Sequence, residues 1–138
     1  MADLDPSVLN QVGAGKLPGH LGVVVEAAEP GRVRATMVLA EHHFAPNGYV
    51  HAGAVVTLAD TACGYGCMIS RPEGAVSFTT IELKSNFLGS AKGGVLAVEA
   101  TLVHGGRQTQ VWDATVTRVE DGKAVALFRC TQMVLYPK

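Results

Sequence analysis

The sequence predicts an α+β domain in which an antiparallel sheet of about six strands wraps one long central helix, with a short helix at the N-terminus. Three observations predict it. Two strand-like stretches, Leu21–Ala28 and Val33–Leu39, come first; a run from Gly53 to about Met68 that does not alternate follows; four more partly alternating stretches complete the chain. The alternation marks strands with one buried face, and the unbroken run of small and apolar residues marks a helix buried on most sides. Short glycine-bearing connections between the last four strands imply antiparallel pairing.

In chain order, Asp5-Pro6 reads as a helix cap followed by proline at the first helical position. Ser7 to Val12 continues the helix, and Gly13 and Gly15 end it. After Pro18-Gly19, the Val-rich run to Ala28 is a strand stopped by Pro30-Gly31. Val33, Ala35, Met37 and Leu39 alternate with Arg34 and Thr36, so the second strand returns with one face inward. Residues 41–52 are irregular, with a turn at Pro46-Asn47-Gly48. The helix from Gly53 to Met68 comes next, and strands are expected at about 76–87, 95–103, 109–119 and 124–135, with Asp121-Gly122 as a hairpin signal. No repeat or linker divides the 138 residues, which are expected to form a single domain, 1–138.

Composition narrows the function. Hydrophobic residues make up 48% and charged residues 17%, with a formal net charge of −1 and a mean hydropathy of +0.23. Disordered chains show the reverse balance, and a nucleic-acid binder needs a basic surface that is absent from this composition. With so few charges part of the surface is apolar, which predicts self-association. A bilayer-crossing helix needs about 20 mostly apolar residues; the best candidate, Gly53 to Ile69, is shorter and carries Asp60, so no membrane span is expected. Three cysteines (Cys63, Cys67, Cys130) and an N-terminus without a basic, apolar signal point to a reducing cytoplasm without disulfides.

Chemistry concentrates between His42 and Ser70, where Asp60 is the only formally charged side chain. An isolated carboxylate on an apolar helix is costly to bury, and it persists with a partner, a shifted pKa or a function. On the residues alone, two readings stand: Asp60 ties down a neighbouring loop or subunit, or it is a catalytic carboxylate. His51-Ala52-Gly53 opens the same helix, where unpaired N–H groups and the positive end of the dipole favour an oxyanion. Asp60 follows by two helical turns on roughly the same face. A competing reading makes His51 a cap and Gly53 a tight entry. His42, His43 and His51 lack a supporting acid for a metal site, so none is expected. Cys63 and Cys67 share a helical face as small buried thiols; the glycines around Tyr65 permit close packing; Trp112 is core.

The stretch Gly48-Tyr-Val-His51-Ala-Gly53-Ala-Val-Val-Thr-Leu58-Ala-Asp60-Thr-Ala62 resembles the G-x-x-H-G-G-x-x-x-x-L-x-D-x-A signature of hotdog-fold acyl-CoA thioesterases of the PaaI-like, 4-hydroxybenzoyl-CoA thioesterase-like group. Leu17-Pro18, Leu21-Gly22 and Gly106-Arg107 extend the resemblance over nearly the whole chain. The resemblance implies hydrolysis of an acyl- or aryl-acyl-CoA to a carboxylate and free CoA, with no cofactor, since CoA is part of the substrate. It places the catalytic carboxylate, base or nucleophile, on Asp60 and the carbonyl-polarising amide on Ala52, supported by Gly53 and His51. Here Ala52 replaces the usual glycine, a change that keeps the N–H. The Asn or Gln usual six residues before the histidine is replaced by Ala45, and Asn47 is the substitute expected to reach the substrate. A water-positioning Ser or Thr from the second subunit matches Thr80, with Thr79 as the alternative if the strand slips by one. Arg107 matches a position that contacts the nucleotide end of CoA in some relatives, a solvated turn arginine being the other reading. The resemblance also implies a homodimer or a dimer of dimers, with acyl-CoA as the only other partner. A non-catalytic acyl-CoA binder is the alternative from another class. A hydratase or dehydratase of the same fold is disfavoured because His51 precedes Asp60, and a regulator is disfavoured because the roughly 20 residues before the first strand leave no room for a DNA-binding segment.

Overall fold

A computed structural model describes residues 5–138; Met1–Leu4, on which the reading of the N-terminus for an export signal rests, lie outside the described residues. The chain runs α1 (Pro6–Gly13), α2 (Leu17–His20), β1 (Val23–Glu29), β2 (Arg32–Val38), α3 (Ala52–Ile69), β3 (Ser77–Phe87), β4 (Val95–Gly105), β5 (Thr109–Arg118) and β6 (Ala124–Leu135), with a single 3-10 turn at Glu41–His43. The six strands form one antiparallel sheet in the order β1-β2-β4-β5-β6-β3. This is the hotdog arrangement expected, with α3 lying along the inner face of the sheet.

Each predicted element is present, with ends shifted by at most a few residues. Asp5 caps α1 through its side chain, which accepts from Ser7 N at 2.9 Å. Two short elements were not read from the sequence, α2 and the 3-10 turn. At four and three residues they are too short to show a period.

The core lies between α3 and the sheet. Leu58, Ala59, Ala62 and Cys63 of α3 meet Val33, Met37, Leu96, Val98, Trp112, Val116 and Phe128, all buried. At 18 residues α3 is long and apolar enough by length and composition to cross a membrane, but 56% of it is buried inside the fold, as suits a core helix. Its glycines let the sheet come close: a Cβ on Gly66 would fall 2.6 and 2.9 Å from Cζ3 and Cζ2 of Trp112. All three cysteines are free and buried.

β3 is an edge strand, paired with β6 on one side only among the described residues. A bulge between Thr80 and Glu82 shifts its register and reverses the phase of its alternation. Phe78 and Thr80 face inward before the bulge, opposite Val134 and Gln132. After it Leu83 and Ser85 oppose the buried Cys130 and Phe128, and Glu82 and Lys84 point outward. Ile81, Leu83, Phe87 and Leu88 leave a row of large apolar side chains exposed along this edge.

Candidate active site

The loop before α3 is built to deliver its first amide groups. Ala45 N donates to Tyr49 O, Gly48 N to Ala45 O and His51 N to His43 O, so the turn is closed on itself and tied to the 3-10 segment. Gly48 takes φ +87°, which favours glycine. His43 is fully buried and uses both ring nitrogens structurally: Nδ1 accepts from Ala40 N at 2.8 Å, and Nε2 donates to Leu21 O at 2.6 Å. A carbonyl only accepts, so the proton sits on Nε2 and neither nitrogen remains for a metal.

His51 is the N-cap of α3, with φ −69° and ψ 137°. Its Nδ1 accepts from Gly53 N at 2.7 Å. Ala54 N and Val55 N both donate to His51 O. In the first turn of α3 that leaves Ala52 N–H without an acceptor. The sequence offered Gly53 as a second oxyanion donor; the structure commits that N–H to His51. His51 is the cap that one of the two readings expected, and by capping the helix it leaves a single amide open.

Ala52 lines a cleft of about 510 Å3 together with Ala45, Asn47, Tyr49, Phe87 and Ser90, among others. Asn47 is in the cleft as expected, with its Oδ1 accepting from Tyr49 N at 3.1 Å. Lys92 stands at the neighbouring rim with its ammonium 4.8 Å from the Tyr49 ring centre.

Asp60 lies two turns further along α3, part-buried, beside the middle of β3. Thr80 Oγ1 is 2.9 Å from Asp60 Oδ1 and also 2.9 Å from Gln132 Oε1; Gln132 Nε2 is 3.3 Å from Cys130 Sγ. The choice between Thr79 and Thr80 is settled by register: Thr79 pairs with exposed Met133 and Thr80 with buried Gln132. Where a threonine of a second subunit was expected beside the carboxylate, Thr80 of the same chain contacts Asp60. At about 1.5 Å per residue, the eight residues from Ala52 to Asp60 cover about 12 Å. A carboxylate and an oxyanion donor that serve one carbonyl sit about 3 Å from its carbon and its oxygen. The two groups of one chain therefore do not meet on one thioester, contrary to the simplest reading of their shared face.

Arg107 lies elsewhere. Its guanidinium stacks over Tyr136 at 5.1 Å, and the Tyr136 hydroxyl donates to Arg107 O. That corner adjoins the C-terminal end of α3, where Gln110 Nε2 donates to Ser70 O at 3.1 Å. Within one chain the structure does not bring Arg107 to the cleft. Cys63 is no nucleophile: contact with Cys130, together with burial, pushes its thiol far up, and burial pushes Cys67 up to about 11. Gln132 went unread in the sequence, although a signal for it existed. It falls in phase with Phe128, Cys130 and Val134, so it is a polar residue at an inward position of β6.

A six-stranded antiparallel sheet around one long central helix is the architecture of hotdog thioesterases, and comparison with known proteins agrees. Residues 47–125 match the family model described as thioesterase superfamily. The chain belongs to that superfamily, in its PaaI-like group, and is a thioester hydrolase. A 1,4-dihydroxy-2-naphthoyl-CoA hydrolase of Listeria monocytogenes is 31% identical over 111 residues, covering 80% of this chain and 89% of the relative. A mutant thioesterase from Pseudomonas aeruginosa superposes with a TM-score of 0.90 at 27% identity, covering 96% of this chain and 94% of its own. The PaaI protein of Escherichia coli gives 0.78 at 26% identity, covering 86% and 83%.

Proposed function

We propose that the chain hydrolyses an acyl-CoA thioester, with an aryl-acyl group as the first class to test. The single observation that carries the reading is the pairing on one apolar helix of an uncommitted amide, Ala52 N–H, with a lone carboxylate, Asp60, held by Thr80. The Listeria relative, a 1,4-dihydroxy-2-naphthoyl-CoA hydrolase and so named for an aromatic acyl-CoA, supports the substrate class.

Because about 12 Å separates the two groups, each site takes Ala52 from one copy of the chain and Asp60 with Thr80 from another. The apolar, half-unpaired β3 edge supports this homodimer, since it lies beside Asp60 and exposes Ile81 and Phe87. The amide of Ala52 polarises the thioester oxygen and holds the negative charge that develops on it. Asp60 takes a proton from water as the water oxygen bonds the carbonyl carbon. The C–S bond then breaks, the thiolate recovers that proton as free CoA, and the carboxylic acid formed loses its remaining proton to solvent as a carboxylate. Asp60 acting as nucleophile through a mixed anhydride reaches the same products. In a single turnover in 18O-labelled water, label in the Asp60 carboxyl identifies the anhydride route with hydrolysis at the Asp60 carbon, since direct attack by water puts the label only in the product.

The test is thiol release from benzoyl-, phenylacetyl- and straight-chain acyl-CoAs by wild type and Asp60→Asn. Loss of at least a hundredfold in kcat is expected for the variant. Undiminished hydrolysis by Asp60→Asn, or no release from any of these thioesters by the wild type, overturns the reading.

A further inference from the structure

We infer that Gln132 is a positioning residue for Asp60, acting through Thr80; the inference rests on the catalytic role proposed above for Asp60. Two glutamines are buried side by side in the sheet, Gln110 and Gln132, paired in register between β5 and β6. A buried amide is costly unless its groups are bonded. Gln110 is accounted for by the fold alone: Oε1 accepts from Trp112 Nε1 at 2.8 Å, and Nε2 donates to Ser70 O. Gln132 has no such structural partners. Its side-chain contacts are Thr80 Oγ1 and Cys130 Sγ, and through Thr80 they lead to Asp60.

Counting protons fixes the direction of this chain. As the working base Asp60 is a carboxylate and only accepts, so the single hydroxyl proton of Thr80 goes to Asp60 Oδ1. Thr80 Oγ1 can then only accept from Gln132, which must turn its Nε2 toward Thr80; a half-turn of the carboxamide exchanges the two atoms in place. Gln132 Oε1 in turn faces Cys130, whose thiol is a donor. The result is one directed relay: Cys130 S–H to Gln132, Gln132 N–H to Thr80, and Thr80 O–H to Asp60. Each donor in such a series strengthens the next. The relay occupies Oδ1 and fixes the carboxylate's rotamer, which leaves Oδ2 for water or the thioester. The bulge after Thr80 shifts the register of β3 against β6 while this hydroxyl stays opposite Gln132.

Two measurements test the relay, one of them independent of catalysis. In nuclear Overhauser spectra of the wild-type protein, the Gln132 side-chain NH2 is expected to show its strong contacts to the Thr80 β and methyl protons. Strong contacts to the Cys130 β protons instead, with none to Thr80, overturn the inference. In kinetics, Gln132→Met keeps the size of the side chain without its donor. It is expected to lower kcat about tenfold, with KM within twofold and the unfolding midpoint nearly kept. Thr80→Val is expected to do at least as much, Thr80→Ser to retain most activity, and Gln132→Met to add nothing in a Thr80→Val background. Losses that multiply in the double variant, or a Gln132→Met enzyme with wild-type kcat, overturn the relay. If the wild type cleaves no thioester, the proposed function fails and the Overhauser result alone decides the geometry.

Discussion

Ala52→Pro tests the oxyanion donor more sharply than any side-chain substitution, because it removes one N–H and little else. Ala52 is the first helical residue of α3, the position where proline is preferred and its missing proton costs the helix nothing. The residue before a proline must be extended, and His51 already is, at φ −69° and ψ 137°. The cap from His51 to Gly53 N involves neither the Ala52 amide nor its side chain, so it survives. Stability should therefore hold within a few degrees of melting temperature. Deleting one donor from an oxyanion site typically costs a factor of 10² to 10³ in kcat, about 2.7–4 kcal/mol. Here the loss falls at the upper end, because the neighbouring Gly53 N–H is engaged and leaves no second donor in that turn. Ala52→Gly keeps the N–H and should stay within a few-fold of wild type. The assay is steady-state thiol release, with far-UV circular dichroism melts on the same samples. A folded Ala52→Pro enzyme with kcat within a few-fold of wild type would refute the assignment of the oxyanion donor.

Two further outcomes follow from packing and burial. Gly66→Ala raises helix propensity by about 1 kcal/mol, yet the new methyl meets the Trp112 ring at 2.6 and 2.9 Å. The bond from Trp112 Nε1 to Gln110 restrains the ring from moving aside, and overpacking of this kind costs about 1–3 kcal/mol. A net fall in melting temperature is expected, and a rise would mean that α3 can lift off the sheet without penalty. Cys63, Cys67 and Cys130, all buried and the first two with raised thiol pKa values, should resist a thiol-specific disulfide reagent at pH 8 in the native protein. The same reagent should titrate three thiols per chain in guanidinium, and stoichiometric labelling without denaturant would contradict the burial.

The fold was legible because five of the six strands carry a buried face that repeats largely every two residues, while α3 shows no such repeat over 18. Asp60 was legible for a simpler reason, as the one charge in a long uncharged stretch. What the sequence concealed depends on residues distant along the chain. The inward side of Thr80 is decided by a bulge against β6, 52 positions later, and a local alternation rule has no term for it. The supply of Thr80 from the same chain as Asp60 is concealed for the same reason. The separation of Ala52 and Asp60 was within reach, since the rise of a helix is fixed, and eight residues cannot span a carbonyl. Arg107 was placed by its neighbouring glycines alone, and its contact with Tyr136 near the chain's other end was invisible to that reasoning.

The edge position of β3 also carries a consequence in time. β3 is synthesised directly after α3, but its partner in the sheet among the described residues, β6, emerges about 50 residues later, an interval of about 3–10 s at ordinary translation rates of roughly 5–20 residues per second. Throughout that interval an eleven-residue strand carrying Phe78, Ile81, Leu83 and Phe87 has neither edge satisfied. Asp60 likewise waits, with the threonine that holds it on a strand not yet anchored. A nascent chain of this protein is most exposed to misassociation late in its synthesis, and its candidate catalytic carboxylate is among the last features to be set.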